Sequence, residues 1–407
     1  MVKYLTQDLP GIGGLIKEKP EDFYVEEIPL YKPQGYGEHT FFEIEKVGIS
    51  TFQALRHIAQ ALGVSRASIG YAGLKDAQAI ARQVMSVEGI SPEAVRAISL
   101  PNIRILWAER HTNKLKIGHL KGNRFVIRIR DVKEEAIKNC QQIMGVLVRR
   151  GVPNYFGEQR FGHRKDSHLL GKALVQRDIE GMVRLYLGHP SPSESQAVQE
   201  ARRLFDAGKW PEAFEKFPKA MADERNALRT LLLTKGDFRK AYYTIPKKLR
   251  RFFVSAYQSH LFNKVLEERL ETVDRLFPGD LAYKHDTGAA FLVEDAEKEQ
   301  PRAERFEISP SGPLYGYKLL LASGQQGELE RRILKEEGLS LESFRLKEGL
   351  KVTGERRPLR FPISEVKIWY DEGIVLSFTL PRGSYATNVL QEIIKLEVRG
   401  WKLEVGG

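Results

Sequence analysis

Hydrophobic positions along the chain follow two rhythms. Near the N-terminus, Phe23-Tyr24-Val25 and Phe41-Phe42-Glu43-Ile44 are short runs of β-favouring residues, and Phe125, Ile127 and Ile129 alternate with Arg124, Arg128 and Arg130. A period of two sends neighbouring side chains to opposite faces, so these segments predict strands, the last of them half-buried. Residues 81–87 read as a further strand. Between them Leu55, Ile58, Ala59 and Leu62 share one helical face, with Ser50 or Thr51 as the cap and Gly63 as the stop. A second helix is predicted over 132–149, where Ala136, Ile137, Cys140, Met144 and Leu147 recur at helical spacing. That stripe makes Cys140 a core residue rather than a nucleophile.

From about 154 to 351 the pattern turns helical, most clearly around 195–207, 220–233 and 249–270. Within the last of these, Tyr257, Leu261 and Val265 fall on one face and predict a core helix. Strand-like alternation returns in Val366-Lys367-Ile368-Trp369 and over 374–380. Ser384 then stands where it can cap a helix carrying Val389, Leu390, Ile393 and Ile394. Mixed strands and helices at both ends of a helical middle predict one domain inserted into another.

Composition narrows the class. The 407 residues exceed the roughly 100–200 of a single domain. Sixty-four Lys and Arg against 53 Asp and Glu give a net charge of +11, which favours a polyanionic partner. Cys140 is the one cysteine, so an internal disulfide and a cysteine-based zinc site are excluded, and a reducing cytoplasm is the expected location. No apolar run approaches the roughly 18 residues of a membrane span, and the first ten residues lack the pattern of a signal peptide. Gly11-Ile12-Gly13-Gly14 is too short to be a dinucleotide fingerprint, and no cofactor is expected.

Four segments concentrate chemistry. Tyr71-Ala72-Gly73-Leu74-Lys75-Asp76 sets one carboxylate in a glycine-containing turn, which serves either catalysis or simple turn capping. Residues 114–125 carry Lys114, Lys116, Lys121 and Arg124 around Asn123 and Phe125. Cations for phosphate, an amide for a base edge and a ring for stacking suit RNA, although a hairpin with a core Phe uses the same residues. Asn154-Tyr155-Phe156-Gly157-Glu158-Gln159-Arg160-Phe161-Gly162 is a linker or a binding strip. Gly383-Ser384-Tyr385-Ala386-Thr387-Asn388 is a strand-to-helix turn presenting donors at a helix start.

In this order the four segments resemble the TruD family of tRNA pseudouridine synthases. Ile16-Lys17 through Asp22-Phe23-Tyr24-Val25-Glu26-Glu27 and Ser255-Ala256-Tyr257-Gln258-Ser259-His260-Leu261-Phe262-Asn263 resemble it too. The resemblance spans almost the whole chain. It implies an α+β fold, a pseudouridine-synthase catalytic domain with a mixed, largely antiparallel sheet, interrupted by a mostly helical inserted α/β domain. The boundaries it implies are 1–157 and 352–407 for the two catalytic parts and 158–351 for the insert.

The implied activity is isomerisation of a uridine in tRNA, at position 13, without cofactor or metal, by a cytoplasmic monomer with no membrane association. The resemblance assigns the nucleophile to Asp76; Lys17, at the matching N-terminal position, is the candidate cation that favours its charged form and Glu27 a candidate to orient Lys17, with an ordinary surface ion pair the alternative for both. The resemblance assigns base stacking to Phe125, hydrogen bonding of the uracil edge to Asn123, and the remainder of the substrate pocket to Phe23 and to Tyr385, a position where Phe also occurs among relatives. Arg149, Arg150, Arg160, Arg164, Lys165, Lys247, Lys248, Arg250 and Arg251 are the cations expected to line a basic cleft. A noncatalytic RNA-binding protein on the same scaffold would use the charge and the rings equally well but has no particular need of Asp76. A metal-dependent hydrolase lacks an evident pair of carboxylates.

Overall fold

The computed structural model describes residues 3–347 and 349–395. The chain divides into two compact units, one built from residues 1–154 and 361–407 and the other from 155–360. The expected boundaries were 157/158 and 351/352. The second crossing lies nine residues later because Glu355–Pro358 is a strand that pairs antiparallel with Ile308–Leu314, inside the insert.

The discontinuous unit is built on an eight-stranded sheet. Its strands are β1 (Phe23–Pro29), β2 (His39–Val47), β3 (Gly70–Tyr71), β4 (Ile80–Glu88), β5 (Ile103–His111), β6 (Leu120–Ile129), β7 (Ser364–Tyr370) and β8 (Ile374–Pro381). The order is β7-β8-β6-β1-β4-β2-β5, with β3 also on β4. Only β1 and β4 run parallel; the other pairings are antiparallel. The last two strands therefore close onto β6 across the inserted residues.

Alternation decides what each strand buries. Phe23, Val25, Phe125, Ile127, Ile129, Leu376 and Phe378 form one core with Ile143, Met144 and Leu147 of the helix Ile137–Arg150, and with Val389, Leu390 and Ile393 of the closing helix, Ala386–Ile394. Phe42, Ile44, Met85 and Val87 form another with Ala54, Leu55 and Ile58 of the helix Thr51–Leu62. That helix begins at Ser50, whose hydroxyl accepts from Gln53 N–H, and ends at Gly63 with φ 66°, the left-handed conformation that glycine adopts without penalty.

Two local expectations shift. The helix predicted from 132 starts as a short 3-10 turn, Glu134–Ala136, and becomes α-helical only at Ile137. The closing helix, Ala386–Ile394, is capped by Tyr385 rather than Ser384, without a side-chain hydrogen bond at the cap.

The insert is dominated by helices. The longest is Lys247–Arg269, in which Tyr257, Leu261 and Val265 are all buried. A four-stranded sheet, ordered 355–358, 308–314, 281–284 and 290–292, completes it. Among the described residues no helix is long and apolar enough to cross a membrane.

Candidate active site

Asp76 lies in the loop between β3 and β4, held from several directions. Its Oδ2 is ion-paired with Lys17 Nζ, and its Oδ1 accepts from Gln78 N–H at 3.1 Å. Its backbone carbonyl accepts from Lys46 Nζ at 2.6 Å, while the same ammonium also donates to Ile49 O at 2.6 Å. One residue earlier, Lys75 N–H donates to Thr51 Oγ1 at 2.9 Å, at the start of the helix that packs under the sheet. The Asp76 side chain is nonetheless 35% exposed, against 6% for Lys17. The carboxylate is thus fixed and still reachable, the combination a group that must meet substrate requires.

Lys17 is presented by a strained arch. Its φ is 59°, a left-handed backbone that costs a non-glycine residue about 1–3 kcal/mol and persists only where the surroundings enforce it. Both feet of the arch stand on Arg130. Leu15 and Arg130 exchange backbone hydrogen bonds at 2.9 and 2.8 Å, and the Arg130 guanidinium grips Asp22 through Nε at 2.8 Å and Nη2 at 2.7 Å. Burial alone would raise the Asp22 carboxyl, but the Arg130 hydrogen bonds, the Lys19 N–H and the charges of Arg130 and Arg128 together hold it below its ordinary value. Over the arch, Lys17 Nζ sits 4.6 Å from the centre of the Phe23 ring.

Beside this pair runs a second chain of polar contacts. Lys75 Nζ lies 2.9 Å from Glu27 Oε2 and donates to Asn123 Oδ1 at 2.8 Å. Sheet topology explains why a glutamate belongs inside. β1 pairs with β4 as far as Arg82 and β3 takes over at Met85, so both short partners share one edge of β4. In the interval Val84 N–H donates to Glu27 Oε1 at 3.4 Å. Burial raises the Glu27 carboxyl above its usual value, and Lys75 and the Val84 amide offset part of that rise. Asn123 lies on β6 next to Gly122, where a Cβ would come within 2.2 Å of Leu380 O. A side chain there would force β6 and β8 apart beside the site. With Oδ1 engaged by Lys75, Asn123 has its NH2 to offer, a donor suited to a pyrimidine carbonyl.

Six of the residues expected from the sequence therefore form one connected set. Lys17 meets Asp76 and Phe23, and Phe23 meets Phe125 edge to face at 6.1 Å. Glu27 reaches Asn123 through Lys75, whose chain neighbour is Asp76. The expected pairing of Glu27 with Lys17 is replaced by Glu27 with Lys75, because the strand gap aims Glu27 at the loop and the arch delivers Lys17 to Asp76.

Two rings sit differently from expectation. Phe125 is only 8% exposed and also packs against Phe378 at 5.6 Å, so it belongs to the core as well as to the site. Tyr385 reaches the same end of the sheet, where Arg382 N–H donates to Lys121 O at 3.0 Å, but its side chain is 47% exposed and has no ring contact with Phe23 or Phe125.

Several cations expected to face RNA hold the insert together instead. Arg160 donates to Ser259 Oγ at 3.0 Å and to Ser255 Oγ, Arg164 binds the carbonyls of Leu185 and Tyr186, and Arg250 is buried over Tyr242. Lys165, Lys247 and Lys248 remain exposed.

Sequence reading missed Lys46 and the structural part of Lys75. Lys46 left a trace, since Phe42-x-Ile44-x-Lys46 puts a lysine on the buried side of β2. Lys75 gave none beyond its place in the Gly-Leu-Lys-Asp segment.

The family model tRNA pseudouridine synthase D (TruD) matches residues 1–393. A tRNA pseudouridine synthase D of Syntrophotalea carbinolica is 48% identical over 98% of this chain and 100% of its own. One of Thermus thermophilus is 39% identical over 97% and 92%, respectively. The crystal structure of a TruD protein from Methanosarcina mazei superposes with a TM-score of 0.86 at 30% identity, covering 97% of this chain and 96% of that one.

Proposed function

The chain belongs to the TruD family of tRNA pseudouridine synthases, an isomerase family, and on that premise we propose that it converts uridine 13 of tRNA to pseudouridine with Asp76 as the nucleophile. The reaction breaks the N1–C1′ bond, turns the base and joins C5 to C1′. The C5 proton is lost and N1 gains one, so product and substrate are isomers and no redox partner enters the balance.

The observation that carries this reading is a fixed yet reachable carboxylate, Asp76, ion-paired with Lys17 and joined to Phe23, Phe125 and Asn123 in one connected set. In the proposed roles Lys17 is the counter-ion that orients the Asp76 carboxylate toward the ribose or the base. Asn123 NH2 donates to a uracil carbonyl, and Glu27 acts through Lys75 to keep that amide turned outward. Phe125 and Phe23 supply the apolar wall against which the base rests, and Tyr385 closes the pocket from the cap of the helix Ala386–Ile394. The protein acts as a monomer in the cytoplasm.

The test is single-turnover conversion of a tRNA transcript containing uridine 13, in the presence of a chelator, with pseudouridine mapped by position. Wild type should convert uridine 13, and Asp76→Asn should bind the tRNA without forming product. Product from pure Asp76→Asn removes the nucleophile assignment, and product confined to another position removes the target assignment. Tight binding with no product from wild type on any tRNA would favour a noncatalytic RNA-binding protein.

A further inference from the structure

We propose that Leu74, with Ile117 on the loop tied to its own, is the wedge that enters the RNA base stack in place of the uridine that turns out toward Asp76. The inference deepens the functional reading above and rests on it for the identity of the substrate.

Leu74 is 59% exposed and Ile117 75% exposed, on two loops of the same unit. Neither loop hangs free. Gly118 N–H donates to Ala72 O at 2.8 Å, tying the loops to each other, and the Leu74 loop is fixed further by Thr51 on Lys75 and by Lys46 on Asp76. The far side of the Ile117 loop is held by Lys114 Nζ on Ala67 O at 2.5 Å and by Arg382 Nη1 on Gly118 O at 3.3 Å. Two branched apolar side chains are thus held in water on anchored loops, where burying them in a complex is favourable and costs little further ordering of the backbone.

The chemistry of the reaction supplies that use. A uridine inside structured RNA must leave its stack before its C1′ and C5 can be reached, and the gap is filled most cheaply by an apolar side chain. Phe23 and Phe125 are buried and cannot enter a stack without leaving the core. Leu74 stands two residues before Asp76, so a side chain inserted there leaves the displaced nucleotide next to the carboxylate. Lys116, Lys121, Arg124 and Arg382 are exposed on the same two loops and on the strand ends beside them, in reach of the flanking phosphates.

The experiment uses a tRNA transcript with 2-aminopurine next to the uridine that wild type converts, a probe that brightens when it loses a stacking neighbour and needs no turnover to do so. Wild type and Asp76→Asn should both raise its fluorescence on binding. Leu74→Ala/Ile117→Ala should keep its thermal midpoint, lose that rise, and convert the unlabelled tRNA at least about tenfold more slowly in single turnover, a factor equivalent to ~1.4 kcal/mol. Leu74→Met/Ile117→Leu, which keeps the apolar bulk, should restore both signals.

An undiminished fluorescence rise in the alanine variant overturns the wedge, as does the absence of any rise with wild type. Failure of the Asp76 assignment shows itself separately, as product from Asp76→Asn with the fluorescence unchanged.

Discussion

Replacing Glu27 by Gln should unfold the catalytic unit more easily, and adding Lys75→Met should largely reverse the damage without restoring catalysis. Glu27 is 2% exposed and the Lys75 side chain 5%, so each charge exists in the interior only because the other is 2.9 Å away. Removing one member of such a pair strands the other, at a typical cost of about 3–5 kcal/mol; glutamine still offers Lys75 a carbonyl, which puts Glu27→Gln near the lower end. Lys75→Met leaves a buried carboxylate whose proton affinity is already raised by burial. A group whose folded pKa stands above its unfolded value contributes stability that is complete below the unfolded pKa and is lost as pH rises. The Lys75→Met deficit should therefore be larger at pH 7.5 than at pH 5.

In the double variant no unpaired charge remains, and a loss below about 2 kcal/mol is expected, which with single losses of about 3 kcal/mol or more implies a coupling of at least ~4 kcal/mol between the sites. Single-turnover conversion of tRNA should stay at least about tenfold below wild type in the double variant, because Asn123 has lost the donor that orients its amide. Urea unfolding of the four proteins at both pH values measures the stability terms. Additive single losses, or a Lys75→Met deficit that does not change with pH, would refute the reasoning.

Lys46→Met should fold, since methionine replaces a fully buried ammonium with apolar volume, but single-turnover activity should drop at least about tenfold as the Asp76 carbonyl loses its tether; full activity would separate Lys46 from the site. Phe125→Ala should cost about 3–5 kcal/mol in urea unfolding, because this ring fills core against Phe23 and Phe378, and a loss under about 1 kcal/mol would contradict the packing described. Tyr385→Phe should keep its conversion rate within about twofold, since an exposed ring needs its face and not its hydroxyl to cover a base, and a tenfold loss would assign the hydroxyl a partner in the complex. In the insert, burial depresses His260 and His285 to about 4, so both are neutral in the folded chain and take protons on unfolding. Their stabilisation is complete above the unfolded pKa of about 6.5 and lost as pH falls toward 4, which predicts roughly 1–2 kcal/mol less stability from each at pH 5 than at pH 8; a urea midpoint that rises on acidification would exclude it.

What could be read in the sequence was set by local rules. The helix Thr51–Leu62 was legible because its cap, its apolar face and its terminal glycine are all short-range signals. Cys140 was legible as core for the same reason, and its thiol is pushed up to about 12 by burial. The second unit boundary was not, because Glu355–Pro358 reads Glu-Arg-Arg-Pro, a charged stretch ending in proline whose pairing with Ile308–Leu314 is decided some 45 residues away. The partner of Glu27 was equally hidden. Whether it meets Lys17 or Lys75 depends on where β1 stops and β3 begins along β4, and nothing in the residues around Glu27 encodes that interval.

Several departures from local rules gather at Asp76. A lysine in left-handed backbone, two lysines inside the fold and a glutamate in a strand interior each carry a cost that an inert sheet end would have no reason to keep. Their arrangement separates two tasks across one peptide bond. Lys75 turns inward, where Glu27 and Thr51 clamp the loop, and Asp76 turns outward, where Lys17 orients the carboxylate and leaves it open to solvent. Had the inward pair been placed at Asp76, desolvation would favour its protonation and close it to substrate; had the outward one carried the anchoring, water would have weakened it. The Glu27–Lys75 pair thus provides rigidity, and the Lys17–Asp76 pair, with its carboxylate partly open to solvent, provides reach. That division is why stability and activity should come apart in the Glu27 and Lys75 variants.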